Sequence, residues 1–214
     1  MTEVDGRTAR AERTRTLIVD AHLGLIADGE LKPTARQVTE RAGVSPRTLW
    51  GHFADMEAVM AASSQRQLEG QDAAALPMDP GLPLQRRLED YARHRAAVLE
   101  VLAPLARAAD VQRPFSPVLQ QNLRGNLARI RAEAESAFAP ELDRFAPAAR
   151  EQAVLALTVA ADWATWQLLR HYLDRSVAEA TSVLRAAVAG ILSGSGSAAG
   201  PESARTASSK GTTA

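Results

Sequence analysis

Residues 34–53, TARQVTERAGVSPRTLWGHF, allow few local structures. Thr34 and Gln37 have the Thr-x-x-Gln spacing of a capping box, in which each side chain serves the other's backbone amide. Pro33 discourages helix at Lys32 before it. Ala35, Val38, Thr39 and Ala42 then share one helical face, and their small size lets another helix come close. Gly43 stands where a left-handed residue ends a helix at little cost. Val44 plugs the turn, Ser45 caps a second helix and Pro46 takes its first position. Leu49 and Phe53, four residues apart, bury together. Two short helices joined by a tight turn follow from this order. Arg47, Thr48, Gly51 and His52 remain on or near the outer face, with Trp50 at its margin.

That outer face has the chemistry of a double-stranded DNA reader. The first residues of a recognition helix meet base edges in the major groove. Arg47 has the paired donors that match guanine O6 and N7, and Thr48 suits a base edge or a thymine methyl. Gly51 has no side chain to hold the helix off the duplex. Thr34, Ser45, Trp50 and His52 are better placed for phosphates, as are the free amides at each helix start. Short helical hairpins also occur in proteins that never touch DNA, so the weight rests on the ordered set. Upstream, Arg7, Arg10, Arg13 and Arg15 form a basic stretch diluted by Glu12. Beside a DNA helix such a stretch neutralises phosphates or enters the minor groove. Leu17, Ile18, Ala21, Leu25 and Ile26 make an apolar stripe that predicts a helix ending near Gly29 and packing across the other two.

This pattern resembles the TetR family of bacterial transcriptional regulators over about residues 13–60. The resemblance is carried by the first-helix stripe, Thr34, Val38, ERAGVS at 40–45, Thr48-Leu49-Trp50 and His52-Phe53. Family members typically have Tyr where this chain has Trp50, and often a phosphate-binding Lys where it has Met56. The resemblance implies DNA contacts from Arg13, Thr34, Ser45, Pro46, Arg47, Thr48, Trp50 and His52. It also implies a small-molecule effector held inside a helical body, and a homodimer built from the last two long helices.

Composition agrees with an ordinary globular chain: 214 residues, 46% hydrophobic, 23% charged and formally neutral. Neutrality excludes bulk nucleic-acid binding by charge alone, but not a local arginine cluster. With no cysteine there is no disulfide, thiolate zinc site or thiol chemistry. The N-terminus lacks an apolar signal core, so a cytoplasmic location is expected. Lysine occurs only at Lys32 and Lys210.

Few aromatics, abundant Ala and Leu and no alternating pattern predict an all-α protein: a three-helix head and a helical ligand-binding and dimerisation body. The expected divisions are 7–53 for DNA binding, 54–192 for effector and dimer, and 193–214 as a disordered tail too poor in large apolar residues to form a core. Asp55 is expected to cap a helix to about Gly70, residues 76–83 to form a loop, and 84–109 a helix kinked or broken at Pro104. Pro114 and Pro117 bracket a further break, and a helix then runs to about Phe138. A connection at 140–147 leads to helices at 147–173 and 176–192, the second opened by a Ser176–Glu179 capping box. The helix at 147–173 is apolar nearly all round but too short in its apolar run for a membrane span, which implies burial on two sides.

No enzyme motif stands out. His22, His52, His94 and His171 are scattered, and neither a phosphate-binding glycine loop nor a nucleophile elbow is present. No metal, cofactor or catalytic activity is expected. In the ligand cavity that the resemblance implies, the candidate effector contacts are Tyr91, His94, Asp162, Trp163 and Trp166, since pockets combine apolar walls with a few placed polar groups. The expected function is a ligand-responsive DNA-binding repressor acting on a palindromic operator. Two alternatives share these residues: a helical small-molecule-binding protein, or an enzyme, whose head no longer reads DNA.

Overall fold

A computed structural model of the protein describes residues 3–74 and 78–194, and these form an all-α fold. The expected tail from residue 195 onward lies outside the described residues, as does the part of the 76–83 loop before Met78. The head comprises α1 (Glu3–Ala27), α2 (Ala35–Ala42) and α3 (Pro46–His52). The body comprises α4 (Met56–Ala74), α5 (Leu84–Gln112), α6 (Pro117–Ala137), α7 (Ala139–Leu142), α8 (Pro147–Ala160), α9 (Trp163–Gln167) and α10 (Val177–Ser193).

The head core joins Ile18, Val19 and Ala21 of α1 to Val38 of α2, Leu49 and Phe53 around α3, and Val59 of α4. Leu49 is fully buried, which stabilises this small unit by roughly 1.5–3 kcal/mol. Asp55 caps α4 through Oδ1, which accepts from the Ala58 amide at 2.8 Å. A second apolar cluster then ties head to body: Ile26 of α1, Met60 of α4, Leu105 and Ala108 of α5, and Leu119 of α6. The main body core lies between α5, α6, α8 and α10, around Leu88, Tyr91, Ile130, Phe138, Leu157 and Leu184.

Three boundaries differ from the sequence expectation. Pro104 sits inside a helix that runs on to Gln112, because the body and head pack α5 on both sides of it. The connection at 140–147 contains the short helix α7. The helix expected over 147–173 is interrupted at Ala161 and Asp162. There Asp162 turns extended and its carboxylate accepts from the Ala164 amide at 3.4 Å, while Thr165 donates to the Val159 carbonyl at 2.6 Å. Arg95 of α5, buried, donates to the Ala161 carbonyl at 2.8 Å. The carbonyl exposed by the break is therefore satisfied by a side chain from another helix. Past α9, residues Leu168–Tyr172 form a π-helical turn.

A second buried arginine closes the far end of the body. Arg87 forks onto Glu141 at 2.7 and 2.6 Å and also donates to the carbonyls of Ala137 and Leu82 at 2.7 and 2.9 Å. Hydrogen bonds from Arg87 hold the Glu141 carboxyl below its ordinary range, outweighing the cost of burial. Removing one partner of such a pair leaves the other charge buried and alone. Arg87→Met is therefore expected to destabilise the protein by about 3–5 kcal/mol in urea unfolding, and more than the double variant Arg87→Met with Glu141→Leu.

Candidate nucleic-acid interface and body cavity

The helix pair is set by short-range bonds. Thr34 and Gln37 form the expected capping box: the Thr34 amide donates to Gln37 Oε1 at 2.8 Å, and the Gln37 amide donates to Thr34 Oγ1 at 3.3 Å. Gly43 ends α2 at φ 66°, a left-handed conformation that a side chain would strain. Ser45 Oγ accepts from the Thr48 amide at 3.0 Å and lies 2.8 Å from Thr48 Oγ1, with Pro46 in the first helical position. The Thr34 and Ser45 hydroxyls are thus engaged in shaping the two helix starts, and the Thr48 hydroxyl is held against the second.

With Leu49 buried inward, Pro46, Arg47, Trp50 and Gly51 are exposed, while Thr48 and His52 are half-buried. Trp50 is 46% exposed, so it is a surface aromatic rather than core. Arg13 is exposed on α1. Arg15, by contrast, lies 4.3 Å over the Phe53 ring and donates to the His52 carbonyl at 3.3 Å, clamping the end of α3 to α1. Arg36 on α2 was not foreseen as a candidate; its side chain is 84% exposed and meets only Glu40, at 3.7 Å. Met56 turns inward, packed against the head core and lining a recess with His22, Pro33 and Thr34. Between Thr34 and His52 the head thus exposes Thr34, Arg36, Ser45, Arg47 and Trp50, on and at the starts of α2 and α3.

The body contains a cavity of about 230 Å³ between α4, α5, α6 and the start of α9. Its walls include Leu68, Leu102, Leu105, Leu119, Leu123 and Trp163, with Asp110, Arg113 and Asp162 as charged groups and Ser64, Asn122 and Asn126 as neutral polar ones. Of the five residues expected to meet an effector, Asp162 and Trp163 line it. Tyr91 is elsewhere, in the body core edge-on to Phe138 at 5.1 Å, and burial pushes its hydroxyl well above the ordinary range. His94 lies 3.6 Å from Glu133. Trp166 is buried in the α5–α9–α10 layer and donates to Glu100 at 2.8 Å. Asp110, Arg113 and Asn122 had no local signal: they come from two segments whose approach only the packing of α5 on α6 creates.

No family model matches the sequence, and no curated protein is significantly similar to it. Solved structures do align. A Mesorhizobium loti protein assigned as a TetR-family transcriptional regulator superposes with a TM-score of 0.67 at 22% identity, covering 86% of this chain and 96% of that one. The chain has the TetR-family fold. A transcriptional regulator from Rhodococcus aligns over the same shares of the two chains, with a TM-score of 0.61 and 19% identity. Within this fold, the exposed face of α2 and α3 belongs to the head and the cavity to the body. No helix among the described residues is long and apolar enough to cross a membrane. Nor do three His, Asp or Glu side chains among them come together as a metal site.

Head and body meet around α1 and α4. His22 is buried on α1, with Nδ1 2.8 Å from Ser63 Oγ of α4. Ser63 itself donates to the Val59 carbonyl at 3.0 Å, so His22 Nδ1–H is the donor to Ser63. Burial lowers the His22 pKa from its ordinary 6.5 to about 4. The unfolded chain therefore takes up a proton at His22 that the folded chain refuses. Stability from this residue is full above about pH 6.5 and is lost as pH falls toward 4, by roughly 3 kcal/mol in all. Urea unfolding from pH 7.5 to 4.5 is expected to show a shallower acid loss for His22→Gln than for the wild type. Equal slopes would remove His22 as the cause.

Proposed function

We propose that the chain is a ligand-responsive, sequence-specific DNA-binding transcriptional regulator: a repressor that binds a palindromic operator as a homodimer and is released by a small-molecule effector. The observation that carries this reading is the face of α3. Its core side is locked by Leu49 and its start by Ser45, leaving Arg47 and Trp50 free to meet DNA. In this reading Arg47 and Thr48 read base edges, while Arg13, Thr34, Ser45, Pro46, Trp50 and His52 position the phosphates. Residues 7–53 are the DNA-binding domain and 54–192 the effector and dimerisation domain. The protein works in the cytoplasm and carries out no catalysis.

Dimer formation is supported by apolar side chains that the single chain leaves uncovered on its last helices. Val159 is 66% exposed, Tyr172 71%, and Leu155, Leu168 and Val183 about half exposed. These lie on the segments 147–173 and 176–192, and a second copy would bury them. Two-fold symmetry places the half-sites about one turn of DNA, roughly 34 Å, or a multiple apart.

Release needs a path from cavity to head, and one short turn supplies it. Arg113 and Leu119 line the cavity, and between them Ser116 donates to Glu57 at the start of α4 at 2.5 Å. Leu119 also belongs to the apolar joint with Ile26 and Met60. A ligand that shifts this turn would move α4 and with it the head. The shift it can enforce equals its difference in affinity for the two states.

Selection of fragmented genomic DNA at two salt concentrations tests the reading. A palindromic motif that survives the higher salt is the expected result; binding without a motif, abolished by salt, would sink it. Two variants separate the roles. Arg47→Ala is expected to relax preference at particular bases, costing about 1–3 kcal/mol on the preferred site. Arg13→Ala is expected to weaken all sequences alike and flatten the salt dependence by about one unit.

A further inference from the structure

The charges around the cavity do not cancel, and the mismatch sits on one atom. Two carboxylates, Asp110 and Asp162, face a single guanidinium, Arg113. Asp110 is fully engaged: Oδ1 pairs with Arg113 Nη2 at 2.5 Å, and Oδ2 accepts from Trp163 Nε1 at 2.9 Å. The charge of Arg113 is thereby neutralised. Asp162 has no such partner among the described residues. Its Oδ2 meets only the Ala164 amide, at 3.4 Å, and its Oδ1 is buried without a hydrogen bond. A buried acceptor left unmade costs about 1–3 kcal/mol, more when charged. Two donors in the lining are also unmade, Arg113 Nε and Asn122 Nδ2.

We propose that the ligand of this cavity is a compact lipophilic cation. The inference rests on reading the cavity as the effector site. The ligand's ammonium N–H donates to Asp162, whose carboxylate pairs with no cation among the described residues. Its apolar frame lies against Leu102, Leu105, Leu119 and the Trp163 ring, whose π face also favours positive charge. A carbonyl, ether or hydroxyl oxygen on the same molecule would take the donors of Asn122 and Arg113. An anion is disfavoured, because Arg113 is already paired with Asp110 and the remaining charge repels it. At about 230 Å³ the cavity falls below the ~300–1,000 Å³ of drug-sized sites, so the ligand is of one or two rings.

The test uses the full chain and three probes of one shape: 2-phenylethylamine, 2-phenylethanol and 3-phenylpropanoate. Each is titrated by calorimetry and by the shift in unfolding midpoint, on wild type and on Asp162→Asn. Asparagine keeps the cap of α9, so the variant is expected to fold. The amine is expected to bind at least about tenfold more tightly than the alcohol, with the carboxylate weakest. In Asp162→Asn the amine should fall to the level of the alcohol, whose own affinity stays unchanged. A carboxylate that binds best, equal binding of amine and alcohol, an amine indifferent to Asp162→Asn, or no binding by any probe would each overturn the proposal. Operator binding measured with the amine present separates the two ideas. If the amine binds through Asp162 yet leaves operator affinity unchanged, the ligand class stands and the effector reading falls.

Discussion

The arrangement of this molecule hangs on an apolar joint. Leu105 and Ala108 of α5 are buried against Ile26 of α1, Met60 of α4 and Leu119 of α6. Five residues from four helices meet there, one from the head and four from the body. Close packing makes such a joint poor at deforming by degrees. The head is therefore not a bead on a string. Its pose is set by whatever position α4 and the start of α6 adopt, and those same helices wall the cavity through Ser64, Leu68 and Leu119.

Buried arginines handle the places where helices stop. Arg87 gathers the carbonyl of Ala137 and the carboxylate of Glu141 where α6 ends and α7 follows. Arg95 takes the carbonyl of Ala161 where α8 ends. Both come from α5, the longest helix among those described, which acts as the spine of the body. The break that Arg95 supports also sets the charge at the cavity. If α8 had continued through residue 162, Asp162 would be one more residue on a helix face. Because the chain stops there, Asp162 becomes a cap with one oxygen left over at the cavity.

The parts of the fold legible in sequence are those that neighbours along the chain decide. The Thr34–Gln37 and Ser176–Glu179 boxes, the Gly43 stop, the Ser45–Pro46 start and the Asp55 cap are all within three residues of their partners. Helical periodicity likewise placed Ile18, Val38 and Leu49 inside. The break at Ala161 was not legible. The apolar pattern runs through it unchanged, and the arginine that satisfies it lies 66 residues away. For the same reason Tyr91 and Trp166, aromatics with a polar tip, read like cavity residues but pack elsewhere, whereas Asp110, Arg113 and Asn122 gave no signal at all.

What the sequence by itself determined is the helix pair of the head and the polar, basic face it leaves outward. Caps, a left-handed glycine and four-residue apolar spacing are local, and local constraints survive without knowledge of the rest of the chain. What only the tertiary structure decided is the cavity and its charge. The Asp110–Arg113 pair is local, but what else meets it at the cavity is not: the Trp163 indole reaches Asp110 from 53 residues away, and packing brings Asp162 to the same cavity with no ion pair among the described residues. That outcome follows from helix packing, which sums many weak contacts between segments far apart in the chain.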